Sequence, residues 1–166
     1  MNNQSFEEIK IEVEKLAERI QAPKSRLPMY GFSLDERPCV DLNSNGQLSL
    51  VYSDRGKIAK SELALDIDHL LYLIFRDLTY FMAIEFNYEN PDKEIDIRRL
   101  QNKKQLELLG KLKEKWKDME QENQAHTLKL FPFNDYEGKR QTYLRELLAN
   151  GFLYKEALEK SFKRYP

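Results

Sequence analysis

Between Ile67 and Phe86 the chain is apolar in almost every helical direction, with polar breaks at Asp68, His69, Arg76, Asp77, Thr79 and Glu85. Leu70, Leu71, Leu73, Ile74, Phe75, Leu78, Phe81, Met82 and Ile84 spread around a 3.6-residue period, which predicts a helix packed on several sides. Asp66 or Asp68 can cap it, because a short carboxylate accepts from the orphan N–H groups of a first turn and suits the positive helix end. The adjacent charges Arg76 and Asp77 interrupt the run midway. A membrane-spanning helix wants about 20 mostly apolar residues, so this one is expected to sit inside a folded core.

The other segments pattern around it. Ser5 and Glu8 form a capping box before Phe6, Ile9, Val13, Leu16, Ala17 and Ile20, predicting a first helix from about Phe6 to Gln21. Pro23 and Pro28 bracket a non-helical connection. Cys39 to Asn43, Gln47 to Ser53 and Lys57 to Ser61 read as short strands separated by Asn45-Gly46 and Asp54-Arg55-Gly56, a three-stranded antiparallel meander. Either Leu48 and Val51 or Leu50 and Tyr52 can face inward, so the register stays open. Asn90-Pro91 ends the central helix.

A second long helix follows, with Ile97, Leu100, Leu108, Leu109, Leu112, Trp116 and Met119 as its apolar stripe, broken by Gln101 and Lys104. Pro132 stops regular structure, and Asn134 or Asp135 can cap the next helix, which carries Tyr143, Leu144, Leu147 and Leu148 inward and closes at Asn150-Gly151. A last short helix places Phe152 or Leu153, Ala157, Leu158 and Phe162 on one side. The expected fold is α+β and mostly α: an N-terminal helix, the small meander, then a bundle of about four helices around the buried central helix. Residues 1–166 read as one domain, since 166 residues of which 41% are hydrophobic can bury a single sizeable core.

Charge and composition narrow the function classes. Twenty-seven basic and 28 acidic residues leave a net charge of -1, so overall charge favours neither nucleic acid nor an anionic membrane as partner. Lys103, Lys104, Lys111, Lys113, Lys115 and Lys117 alternate with acids and read as a solvated face. Cys39 is the one cysteine, which excludes an internal disulfide, fits a reducing compartment and suits a buried strand better than a catalytic thiol. Met1 to Lys10 holds no apolar export segment, so a cytoplasmic location is expected. His69 and His126 each stand alone, and no metal-spaced cluster, glycine-rich phosphate loop or nucleophile elbow appears; no metal and no cofactor are expected.

The most informative constellation is Asp96-Ile97-Arg98-Arg99. Neighbours on a helix point about 100° apart, so with Ile97 and Leu100 inward the two arginines project to different sides. One is expected to clamp the fold through Asp77, Asp96 or Asp135, the other to be free for a partner. The acidic loop Glu89, Asp92, Glu94 and Asp96 can meet a basic protein surface or be a solvated turn.

Taken in order, Asp54-Arg55-Gly56 after a strand, Leu70-Leu71-Tyr72, Asp96-Ile97-Arg98-Arg99, Gln105-Leu-Glu-Leu-Leu109 and Pro132-Phe133-Asn134-Asp135 make the chain resemble the immunity protein 63 family of bacterial polymorphic toxin systems. The resemblance covers roughly Leu27 to Leu158 and rests on the order of short motifs; Asp54 stands where a glutamate is expected and Ile97 where an aromatic is. It implies a cytoplasmic protein that binds a cognate toxin domain and carries no catalysis of its own. Candidate toxin-binding or family-motif residues are Arg55, Asp92, Glu94, Asp96, Arg98, Arg99 and Asp135. Two other classes compete: a small hydrolase using Asp96, Asp135 and one histidine, and a scaffold subunit with no toxin partner.

Overall fold

The computed structural model describes residues 3–166 apart from Glu36, Ser44 and Lys93, and the side chains from residue 6 onward. Its elements are α1 (Asn3–Arg19), a 3-10 turn (Lys24–Arg26), β1 (Met29–Tyr30), β2 (Cys39–Leu42), β3 (Leu48–Asp54), β4 (Lys57–Leu63), α2 (Ile67–Glu89), α3 (Ile97–Leu112), α4 (Glu114–Leu130), α5 (Glu137–Ala149) and α6 (Tyr154–Arg164). The fold is mostly helical α+β. The first helix starts at Asn3, earlier than expected, and the Ser5 side chain of the expected capping box lies outside the described residues.

The sheet has the order β1-β2-β3-β4 and is mixed. The antiparallel meander is present as β2, β3 and β4, but β1 adds a fourth strand parallel to β2, with Met29 opposite Cys39 and Tyr30 opposite Val40. Two residues are too few to display an alternation, so that strand has no sequence signal of its own. Leu50 pairs with Val40 on one side and Glu62 on the other, and Val40, Leu48 and Leu50 belong to the main core. That settles the open register: the face of Leu48, Leu50 and Tyr52 turns toward the helices. Asp54 pairs with Lys57 across a two-residue turn whose central residues, Arg55 and Gly56, both have positive φ, 50° and 75°. A two-residue hairpin of this hand needs that conformation twice, which is the physical content of Asp54-Arg55-Gly56.

Asp66, not Asp68, caps α2: its Oδ1 accepts from the His69 N–H at 2.7 Å. Asp68 instead holds Lys113 at 2.6 Å and Lys115 at 3.1 Å. The helix ends at Asn90, directly before Pro91. Ten of its residues are buried, and Phe75 stacks on Trp116 of α4 with ring centroids 5.8 Å apart.

The expected second long helix is two helices. Lys113, with φ -150° and ψ 130°, separates α3 from α4, and no proline or glycine marks the break. Tertiary contacts make it: Lys113 Nζ reaches back to Asp68 and lies 4.7 Å from the Trp116 ring centroid. Gly110 lets the two helices approach, since a Cβ there would meet Lys117 Cδ at 3.1 Å. On α3 the expected Leu108, Leu109 and Leu112 are buried and Gln105 joins them, while Ile97 is 51% exposed rather than inward.

The main core gathers α1, the sheet, α2, α3 and Trp116. In place of a bundle of four helices around α2, α5 and α6 make a hairpin with a small core of their own, Leu144, Leu147 and Ala157. Gly151, at φ 86°, closes α5 as expected. No helix of the described residues is long and apolar enough to cross a membrane.

Candidate functional site

Asp96 sits at the N-cap of α3 and is 7% exposed. Its Oδ1 accepts from the Arg98 N–H at 2.9 Å and from Arg98 Nε at 3.0 Å; its Oδ2 accepts from Arg98 at 2.6 Å and from the Asn134 N–H at 2.8 Å. The same Arg98 guanidinium donates to the carbonyls of Phe131 and Pro132, at 2.9 and 2.8 Å. Beside it, Arg99 forks onto Asp135 at 2.7 and 2.9 Å, and Asp135 Oδ1 accepts from the Asp96 N–H at 2.8 Å. Both guanidiniums flank the Phe133 ring, at 5.5 and 4.2 Å from its centroid. The two sequence motifs are therefore halves of one latch, joining the start of α3 to the turn that leads into α5.

This corrects several expectations. The expected clamp runs through Asp96 and Asp135, not Asp77, and it engages both arginines, Arg98 with Asp96 and the more exposed Arg99 with Asp135. Asp135 is spent on the latch and does not cap α5, where Tyr136 stands at the N-cap without a side-chain bond. Burial opposes the charged form of Asp96, yet the Arg98 side chain and two backbone N–H groups hold its carboxyl down at about 2. Such an acid is a poor general base near neutrality, which counts against the hydrolase reading. The histidines do not join it: His69 sits at the start of α2, where its Nδ1 accepts from the Leu65 N–H.

The remaining candidates divide. Asp92, Asp96 and Arg98 line a cleft of about 680 Å³ with Tyr88, Ile95 and Arg145, between the end of α2, the start of α3 and α5. Glu94 turns to Lys139 on α5 at 2.7 Å, and Asp92 Oδ1 accepts from the Glu94 N–H, so the acidic loop is partly neutralised from within. Arg55 stands apart at the tip of the β3–β4 hairpin.

Two polar clusters had no place in the sequence reading. Between β4 and α2, Arg76 forks onto Glu62 at 2.7 and 3.1 Å and also bonds Asp77, while the single proton of the Tyr52 hydroxyl lies within reach of both the Glu62 and Asp77 carboxylates. Burial alone would raise the Glu62 pKa, but Arg76 and Lys60 bring it down to about 2, well under its ordinary 4.5. A depressed carboxylate contributes stability above its unfolded value and loses it as pH falls through the folded one. Urea midpoints are thus expected to fall steeply from about pH 4.5 toward 2, and Glu62→Gln to be less stable at pH 6 with a shallower acid slope; an unchanged slope would show that Glu62 is not paired in solution. The second cluster, around Glu120, Tyr72 and Asn123 in the groove of α2 and α4, had a faint signal: Glu120 follows Trp116 by one helical turn, on an inward face.

Among the described residues no three His, Cys, Asp or Glu side chains gather into a set that could hold a metal ion. What the fold and site define is a small helix-rich α+β protein whose sequence motifs are spent on a turn and a charged latch. The immunity protein 63 family model matches residues 44–126, half of the chain, and the chain belongs to that family. The matched span runs from the β2–β3 turn into α4, so it holds Arg55, Asp96, Arg98 and Arg99 and stops short of Asp135. No curated protein and no solved structure matches the chain.

Proposed function

We propose that this chain is the immunity partner of a polymorphic toxin: a single cytoplasmic domain that binds a cognate toxin domain, neutralises it and so protects the producing cell, without catalysis of its own. The observation that carries the reading is the family match across the β3–β4 hairpin, α2, α3 and most of α4. A protein partner also suits the surface of α2, where Tyr80, Phe81 and Tyr88 are exposed, because aromatic side chains are the commonest interface anchors. Tyr88 rims the larger cleft, and Arg98 lines both that cleft and a second one beside Tyr80, which makes this side of the molecule the proposed toxin-facing side.

Co-expression with the toxin domain encoded by the adjacent gene tests the reading. Restored growth and co-purification are expected; a toxin that neither binds the wild-type chain nor is neutralised by it would overturn the proposal. Arg99 sharpens the test. It and Asp135 are 43% and 42% exposed, so Arg99→Ala should leave the melt nearly unchanged. If it is a contact, the same change weakens toxin binding by about 2 kcal/mol or more. Unchanged affinity in a calorimetric titration would move the interface away from the start of α3.

A further inference from the structure

We infer that the cleft between α2, α3 and α4 receives a cationic side chain of the toxin, a guanidinium or alkylammonium group, with Glu120 as its anionic floor. The inference rests on the reading of the chain as a toxin-binding protein.

Glu62 has Arg76 and Lys60 in contact, Asp68 has Lys113 and Lys115, and Asp96 has Arg98. Glu120 differs. It is 8% exposed, and its Oε2 accepts from the Tyr72 hydroxyl at 3.0 Å and from Asn123 Nδ2 at 3.3 Å. Its Oε1 accepts from no group among the described residues, and no lysine, arginine or histidine of those residues lies within ion-pair distance of it. A donor cation would complete the hydrogen bonding of this nearly buried carboxylate and balance its charge.

The cleft is built to admit one. It holds about 220 Å³, against the roughly 10–15 Å³ that a single water needs, and Glu120 lines it. Its walls are amides: Gln124 Nε2 donates to Gln105 Oε1 at 3.0 Å, and Gln105 Nε2 donates to the Arg76 carbonyl at 3.0 Å. This commits Gln124 Nε2 and Gln105 Nε2 and leaves Gln124 Oε1 as an acceptor beside Glu120 Oε1. Two such acceptors suit a group that donates in several directions, as guanidinium and ammonium do. Tyr80, half exposed, stands at the cleft, offering a ring face for a cation to cross.

The charged neighbours are committed to other partners. Arg98 reaches the cleft from α3 but is committed to Asp96. Arg76 and Asp77 act on Glu120 from α2 with opposite signs, and Arg76 is itself forked onto Glu62. Burial consequently raises the Glu120 pKa from its ordinary 4.5. A bound cation favours the ionised form, so capture should strengthen as pH rises through that raised value.

The test uses the full chain and the probe N-acetyl-arginine amide, with N-acetyl-citrulline amide as a probe of the same shape and no charge. Saturable NMR shifts of the Gln105, Asn123 and Gln124 side-chain amides are expected with the arginine probe, at least ten-fold weaker with citrulline, and lost in Glu120→Gln. That variant should melt at the same temperature or higher, since it removes an uncompensated buried charge, and should bind the adjacent-gene toxin at least ten-fold more weakly. Shifts that do not saturate, or that are equal for the two probes or the two proteins, would overturn the cation site and leave Glu120 as a structural hydrogen-bond acceptor. Micromolar capture of the free probe would overturn the toxin as the source and assign the cleft to a small cationic metabolite. If wild type and Glu120→Gln bind toxin equally, this inference fails while the immunity reading stands. If the wild-type chain binds no toxin, the immunity reading fails, the toxin falls as the source, and the probe titration alone decides whether the cleft takes a cation.

Discussion

Phe75→Ala is expected to cost about 3–5 kcal/mol, a large share of the roughly 5–15 kcal/mol that holds a domain folded. The side chain is fully buried on α2 and stacks on Trp116, which is itself fully buried on α4. Truncation removes the apolar transfer contribution, leaves a cavity that the sheet and α3 cannot easily close, and deprives Trp116 of its stacking partner. Trp116 is the single tryptophan of the chain, so its fluorescence follows the urea melt of this contact directly. Phe75→Leu, which keeps most of the volume, should lose much less, and the two together separate cavity from stacking. A loss near that of a surface substitution, below about 0.5 kcal/mol, would mean that α2 is not the central helix of the core.

That helix was the most legible element because its signal is local: apolar residues in all directions, an Asp before it and Asn90-Pro91 after it. The three long strands were legible for the same reason, since Asn45-Gly46 and Arg55-Gly56 place turns between short alternating runs. What failed was whatever depends on distant residues. The break at Lys113 follows from Asp68 and Trp116, and nothing in the residues around 113 announces it. Leu108, Leu109 and Leu112 of the apolar stripe are buried as the periodicity predicts, whereas Ile97 at its start lies exposed and Gln105 joins the buried face. The candidate site shows the same division. The sequence names Asp96 and Asp135 as possible partners for the paired arginines, but that both arginines are paired, and that one latch uses both carboxylates, is a property of the folded chain. Glu120 was passed over because a glutamate in a charged helix looks solvated until the helix in front of it is placed.

Asp96→Ala is expected to destabilise by about 3 kcal/mol, because one side chain serves three structures. It caps α3, a role worth about 1 kcal/mol, and it neutralises Arg98 while accepting the Asn134 N–H of the following turn. Arg98→Ala should cost about as much for the opposite reason: it leaves Asp96 charged and nearly buried, and frees the carbonyls of Phe131 and Pro132. The two losses should not add. Each single change already breaks the latch, so the double variant is expected to fall short of the sum by 1 kcal/mol or more in a mutant cycle. Where the loss appears matters as much as its size. The α5–α6 hairpin has its own small core and meets the body through the Asp96, Arg98, Arg99 and Asp135 bonds and the exposed Glu94–Lys139 pair, so opening the latch should let the hairpin fray first. Hydrogen exchange in residues 137–164 should therefore accelerate in Asp96→Ala well beyond that in α2, whereas Arg99→Ala, breaking an exposed pair, should change both little. Equal acceleration in both regions would show that the hairpin and the main core unfold as one unit, and that the latch reinforces a junction made by other contacts.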